Sequence, residues 1–203
     1  MAKKSIKIKI PINLADLQQG KVQQFLVQRI SNVDRIRPLR VGAVHQLLEP
    51  RVSKILFQKV LDEIEEKVSV YQNIWKLREV FYPNILIDVF STKGKKILVL
   101  SVNLRNYNFF PPQIGLLTPE EKLIIKIKDT CNIQDNFGIK HIIPNQTGAW
   151  ICTPGTYRYH NHYFDLDRWE KIRYDLSTNI IEIINRIINM IDRTKEEIVE
   201  VAL

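Results

Sequence analysis

The chain has 203 residues, 45% of them hydrophobic and 26% charged, a balance typical of one soluble globular domain or one domain with an extension. The lysines at the start are not followed by the apolar segment of a signal peptide, and no apolar run approaches the length that spans a bilayer. We therefore expect a cytoplasmic protein without a membrane partner. Its two cysteines, Cys131 and Cys152, exclude a disulfide framework and a four-cysteine zinc site.

Positive charge is concentrated in the N-terminal part of the chain. Residues 1–79 hold 15 Lys and Arg against 8 Asp and Glu, a net of +7, whereas residues 80–203 hold 15 against 14, a net of +1. Such an excess is typical of a solvated surface, and it could also steer nucleic acid, an anionic membrane surface or an acidic protein partner. Aromatic residues are not interleaved with the basic ones, which disfavours nucleic acid. The candidate partner-binding residues are Arg29, Arg35, Arg37, Arg40 and Arg51.

The first 50 residues are predicted to be a basic extension that contains one strand and one helix. "SIKIKIPINL" (5–14) alternates polar and apolar residues as a strand does, and "KVQQFLVQRI" (21–30) has helical spacing. Residues 51–203 are then the main domain. It is predicted to open with a helix that continues to about Leu77, before Pro83. The expected buried face of this helix consists of Val52, Ile55, Leu56, Val60, Ile64 and Val68.

After this helix, the sequence becomes rich in the apolar and β-branched residues that are typical of strands. "NILIDVFS" (84–91) and "KKILVLSVNL" (95–104) are joined by a turn at Gly94, and "QIGLL" (113–117) can form a third strand of an antiparallel meander. Residues 118–140 interrupt it with a further strand-like piece, "KLIIKIK". A last helix is predicted over about residues 177–193. The pattern indicates an α+β fold, an antiparallel meander sheet flanked by helices. The helix has a buried stripe of Ile180, Ile184, Ile187, Ile188 and Ile191.

The segment "HIIPNQTGAWIC" (141–152) brings Cys152 into a loop with Pro144, Asn145 and Gly148. A reactive cysteine needs an accessible thiolate, and an acyl-transfer intermediate needs a donor for its oxyanion, which a side-chain amide supplies. A turn in this segment would bring the Asn145 amide to the thiol. The alternatives are that Asn145 is a turn residue and that Cys152 is a buried core thiol.

An aromatic segment, "GTYRYHNHYFDLD" (155–167), follows the cysteine. It is interpreted either as a lid over Cys152 or as a loop packed on the domain. A metal site made of His160, His162 and Cys152 would need further ligands, so no metal is predicted. The candidates for tuning the thiol, or for the lid, are His141, His160, His162, Asp165 and Asp167.

Four segments in this order resemble the core of the ubiquitin-conjugating enzymes: "NYNFFPPQIGLLT" (106–118), "IPNQTGAWIC" (143–152), "RW" (168–169) and the final helix. The similarity covers about residues 52–193. The family's His-Pro-Asn tripeptide has isoleucine in place of histidine here, and His141 lies two residues earlier. The matching positions are Tyr107, Phe109, Pro111, Pro112, Pro144, Asn145, Gly148, Ile151, Cys152 and Trp169.

The resemblance implies a ubiquitin-conjugating-enzyme-like fold and a transferase activity. Cys152 would accept a ubiquitin-like protein as a thioester from an activating enzyme, and a lysine amine would then attack it, directly or through a ligase. Asn145 would stabilise the oxyanion or order the loop beside the thiol. No cofactor is implied, because the energy arrives in the thioester. The alternatives are a non-catalytic relative that acts as a binding or scaffold module, and a basic nucleic-acid-binding module.

Overall fold

The computed structural model describes residues 48–136, 138–162, 169–175 and 179–203, with only the backbone described for Asn161, His162 and Glu170. The strand and the helix predicted before residue 48 lie outside the described residues. So do six of the candidate functional residues, namely Arg29, Arg35, Arg37, Arg40, Asp165 and Asp167.

The domain begins with helix α1, Pro50–Tyr71. Its start is fixed by Glu49, whose carboxylate accepts hydrogen bonds from the backbone N–H groups of Arg51 and Val52 at 3.0 and 3.1 Å. A proline at the first helical position has no N–H group that would need a partner. The beginning of the predicted helix is therefore confirmed.

The buried face of α1 differs from the predicted one. Val52 and Ile55, expected inside, are 44% and 68% exposed. The helix is rotated so that larger side chains face the sheet, and the Ser53 hydroxyl is buried with them because it donates to the Arg105 carbonyl and accepts from the Tyr82 hydroxyl. The observed buried face is Ser53, Phe57, Val60, Leu61 and Ile64.

Strand β1, Trp75–Phe81, occupies residues whose first part was predicted to continue the helix. That prediction was wrong because spacing alone does not separate a helix end from a strand. The helix ends at Tyr71, and pairing with the next strand holds the following residues extended, with Trp75 opposite Val89. The aromatic and β-branched residues of this segment suit a pleated sheet.

The main sheet is a four-stranded antiparallel meander in the order β1-β2-β3-β4, one strand more than predicted. Gly94 turns the chain between β2 and β3 at φ +81°, a conformation that favours glycine. The α+β class, with an antiparallel sheet and helices, is confirmed. The further strands of this sheet are β2 Asn84–Phe90, β3 Lys96–Asn103 and β4 Gln113–Leu117.

Smaller elements follow the meander. They are β5 Ile124–Ile127, a 3-10 turn Asp129–Cys131, β6 Ile142–Ile143, β7 Trp150–Ile151, α2 Tyr157–His162, α3 Trp169–Ile172, α4 Ile180–Asn189 and β8 Val199–Ala202. Strand β8 was not predicted, and it pairs antiparallel with β5. The predicted strand-like piece in the interruption is confirmed as β5.

Helix α4 supplies one side of the core. Asn179 caps its start by accepting the Glu182 backbone N–H at 3.0 Å, and the five predicted isoleucines are all buried. The Trp75 indole donates to the Asn185 side-chain oxygen at 3.0 Å, which ties β1 to α4. Trp75 and Trp169 are both buried. None of the described helices combines the length and the apolar character that crossing a bilayer requires.

Candidate functional site

Cys152 lies at the open end of a short hairpin. Strands β6 and β7 pair Ile142 with Ile151 and Ile143 with Trp150. The pairing continues by one position, because the Cys152 backbone N–H donates to the His141 carbonyl at 2.7 Å. His141 and Cys152 therefore face each other across the hairpin.

The hairpin has a buried face and a half-buried face. Ile142 and Ile151 are 2% and 1% exposed, and they pack into the core. Side chains alternate along a strand, so the residues on either side of them share the other face. These residues, all half-buried, are His141, Ile143, Trp150 and Cys152. The Cys152 side chain is thus partly open to solvent, whereas Cys131 is only 1% exposed and belongs to the core.

The His141 ring is held against the backbone of Cys152. Its Nδ1 lies 3.2 Å from the Cys152 carbonyl oxygen. A carbonyl only accepts hydrogen bonds, so Nδ1 carries the proton and Nε2 is the acceptor of the neutral ring. Directly opposite residues of an antiparallel pair have Cβ atoms about 5 Å apart. The structure therefore brings together two sequence-predicted site residues, His141 and Cys152.

Asn145 lies at the other end of the hairpin, where it forms the turn. Its carbonyl accepts the Gly148 N–H at 3.1 Å, and its side-chain oxygen accepts the backbone N–H and the hydroxyl of Thr147 at 2.9 and 2.7 Å. Asn145 lies four positions after His141 in the chain, which is about 13 Å at a rise of about 3.3 Å per residue. The predicted turn is present, but it places Asn145 away from Cys152. Asn145 orders this loop as turn asparagines do.

The segment after the cysteine is fixed to the core. The Thr156 hydroxyl donates to the carbonyls of Ile151 and Thr153 at 2.8 and 2.9 Å. Gly155 has φ +91°, and a Cβ there would lie 2.7 Å from Ile183 of α4. These contacts fix the backbone on the C-terminal side of Cys152.

His160, predicted to tune the thiol or to belong to a lid, contacts the backbone that follows the thiol. Its Nε2 accepts the Gly155 backbone N–H at 3.0 Å, and its ring packs 5.5 Å from that of Trp169. That nitrogen is occupied and is not available to Cys152. The side chain of His162 is not described, although its backbone belongs to α2.

Trp150 and Arg158 join the site although sequence reasoning missed both. The Arg158 guanidinium lies over the Trp150 ring, 4.7 Å from its centroid. The available signal was the spacing Trp-x-Cys, which puts Trp150 on the face of Cys152 if the segment is a strand. Arg158 comes from α2, so its position depends on a contact that no local pattern reveals.

Burial dominates the electrostatics of the thiol. It raises the pKa of Cys152, and no charge among the described residues opposes this shift. Burial also lowers the pKa of Arg158, although not enough to remove the charge of a guanidinium. At neutral pH, Cys152 is therefore a protonated thiol.

The segment before β4 is anchored beside α3. Tyr107 and Trp169 are buried, with ring centroids 6.2 Å apart, and the Trp169 indole donates to the Asn108 carbonyl at 2.9 Å. Phe109, by contrast, is 49% exposed. Arg51, the one candidate partner-binding arginine within the described residues, is exposed at the start of α1.

Within the described residues, no group of three His, Cys, Asp or Glu side chains is arranged to hold a metal ion. The candidate set of His160, His162 and Cys152 includes one side chain that is not described. Comparison of the chain with protein-family models finds no match, and comparison with curated proteins finds no significant match.

Proposed function

We propose that the protein carries a ubiquitin-like modifier as a thioester on Cys152 and transfers it to a lysine amine, within a ubiquitin-conjugating-like fold. The observation that carries the proposal is the partly exposed cysteine on the half-buried face of the hairpin formed by β6 and β7. The order of elements agrees with it, since a helix and an antiparallel meander precede the cysteine and a buried isoleucine-rich helix follows it.

The chemistry consists of two acyl transfers. The Cys152 thiolate attacks the thioester carbonyl of the modifier on the activating enzyme; a new S–C bond forms, and the activating enzyme's thiolate leaves. A lysine amine then attacks the Cys152 thioester, an amide bond forms, and the Cys152 thiolate leaves. The amine loses a proton in this step. We propose that His141, on the same face of the hairpin as Cys152, accepts that proton at Nε2.

Asn145 has the second of the two roles that the family resemblance implies, which is to order the loop. Its side-chain oxygen is committed to Thr147, and this contact holds the turn that connects β6 to β7. Through the turn, Asn145 supports the register that sets His141 opposite Cys152.

A non-catalytic binding or scaffold module is the alternative, and one observation favours it. Burial raises the pKa of Cys152, and among the described residues no cation stabilises the thiolate, a state typical of cysteines that are not activated. Such a module would bind the modifier equally well without the thiol.

A thioester assay separates the two functions. The chain is mixed with ubiquitin, its activating enzyme and ATP, and adducts are resolved without reductant. The proposal predicts an adduct that reductant removes, that is absent from Cys152→Ala and that persists in Cys131→Ala. Ubiquitin binding that is equal in wild type and Cys152→Ala, with no adduct in either, supports the scaffold.

The role of His141 is tested by two substitutions. His141→Asn keeps a donor near the position of Nδ1 but has no basic nitrogen, whereas His141→Ala removes both. If His141 accepts the proton, both variants discharge the thioester to lysine about 10²-fold more slowly below pH 8, and the defect shrinks at higher pH. If His141→Asn discharges the thioester at the wild-type rate at all pH values, His141 has a positioning role instead.

A further inference from the structure

The pair formed by Trp150 and Arg158 has a feature that packing alone does not explain. Arg158 is half-buried, and within the described part of the chain its guanidinium contacts the Trp150 ring and interacts electrostatically with Tyr157 but forms no ion pair with a carboxylate. Other cationic side chains pair with carboxylates, as Arg78 does with Glu121, or donate to backbone carbonyls, as Arg193 does to that of Phe90. A half-buried guanidinium without an anion keeps its donors available for a ligand.

The stacking orients the guanidinium. The Cζ atom of Arg158 lies over the Trp150 ring, 4.7 Å from its centroid. A guanidinium that stacks on an aromatic face can still donate hydrogen bonds from its edge. A planar fork of this kind matches a carboxylate in bidentate geometry better than it matches a single carbonyl. The ligand chemistry that this pair favours is therefore a carboxylate.

The pair adjoins the thiol. Trp150 and Cys152 are alternate residues on one face of the hairpin, so their Cα atoms are about 7 Å apart. A ligand bound to Arg158 would therefore lie within a few residues' length of a group attached to Cys152. An extended peptide spans about 7 Å in two residues, which matches this separation.

We propose that Trp150 and Arg158 form a carboxylate-recognition site for the acceptor, binding an acidic side chain within a few residues of the lysine that attacks Cys152. This inference rests on the proposed transferase function for the identity of the acceptor. The binding of a carboxylate beside the thiol does not depend on that function.

The carboxylate site is tested first without any modifier. Iodoacetate and iodoacetamide both alkylate a thiolate with loss of iodide, and they differ in carrying a carboxylate or a neutral amide. The ratio of their rates at Cys152 is measured in a Cys131→Ala background. We expect Arg158→Gln to lower the iodoacetate-to-iodoacetamide ratio about threefold to tenfold, the size expected for a partly exposed charge-assisted contact.

The matched control is Arg173→Gln. Arg173 also lies over aromatic rings, those of Phe109 and Tyr174, but outside the hairpin. The variant Arg173→Gln should leave the iodoacetate-to-iodoacetamide ratio unchanged. An equal ratio in wild type and Arg158→Gln, or an equal fall in both variants, would overturn the carboxylate site.

The acceptor is tested second, with the Cys152 thioester and two peptides, Glu-Gly-Lys-Gly-Glu and Gln-Gly-Lys-Gly-Gln. The inference predicts faster discharge by the acidic peptide in wild type and equal rates for the two peptides in Arg158→Gln. Equal rates in wild type would refute the acceptor assignment. Failure to form any thioester, with the alkylation ratio still dependent on Arg158, would refute the transferase and retain a carboxylate site.

Discussion

Cys152 and His141 face each other at the open end of the hairpin, yet the surroundings of the sulfur disfavour its charged form. Burial raises the pKa of this thiol above the 9.0 of an unperturbed cysteine. A raised pKa in an acid means that the neutral form persists to higher pH, so the thiolate fraction at pH 7 is below about one per cent. The thiol is available but not activated on its own.

Alkylation of Cys152 should therefore rise with pH. In a Cys131→Ala background, we expect the iodoacetamide rate to increase about tenfold per pH unit between about pH 7 and 9 without reaching a plateau, because the reactive species is the thiolate. The measurement is a pH-rate profile by intact mass. A plateau below about pH 8 would show that a neighbouring group stabilises the thiolate, contrary to the electrostatics of the site.

Gly155 is the residue that fixes the chain after the thiol. Replacement by alanine imposes the unfavourable positive φ on a residue with a Cβ and also forces that atom against Ile183 at 2.7 Å. We expect Gly155→Ala to lower the free energy of unfolding by about 2–4 kcal/mol. The measurement is urea denaturation.

Gly94→Ala is the control for this substitution. Gly94 has a similar φ of +81°, but nothing lies within 4 Å of the position that a Cβ would take there. We expect Gly94→Ala to lower the free energy of unfolding by about 1 kcal/mol, because only the unfavourable positive φ contributes there. Equal losses for the two variants would mean that α4 does not pack against the segment that follows Cys152.

At the scale of elements, periodicity predicted the interior of the helices and strands better than their junctions. The isoleucine stripe of α4 identifies its buried face because the helix packs along its whole length. Residues 71–77 fit helical spacing equally well, and only pairing with β2 makes Trp75 the start of a strand. Strand β8 was missed for the same reason, since its partner β5 lies far earlier in the chain, with Ile127 opposite Val199.

Helix α4 should be stabilised by packing rather than by helix propensity, because isoleucine is a moderate helix former. Ile187 is fully buried, and we expect Ile187→Ala to lower the free energy of unfolding by about 2–5 kcal/mol. Asn189→Ala, on the exposed side of the same helix, should change it by less than about 0.5 kcal/mol. The measurement is urea denaturation of both variants; comparable losses would contradict a packed α4.

At the scale of the whole molecule, the α+β class and the order of the main elements followed from the sequence because they depend on local periodicity. The arrangement of the candidate site did not. The hairpin register separates Asn145 from Cys152 and sets His141 opposite the thiol, and the Arg158 contact joins two elements. Such relations come from non-local pairing, which residue spacing does not encode.

The proposed function requires that Cys152 accepts an acyl group and passes it to an amine. The most direct measurement is tandem mass spectrometry of the chain after one cycle with ubiquitin, its activating enzyme and ATP, followed by addition of a lysine derivative that has a blocked α-amine and a free ε-amine. The account predicts an acyl mass on the peptide that contains Cys152, which disappears as ubiquitin-linked lysine forms. An acyl group found on Cys131 or on a lysine of the chain, with Cys152 unmodified throughout, would contradict it.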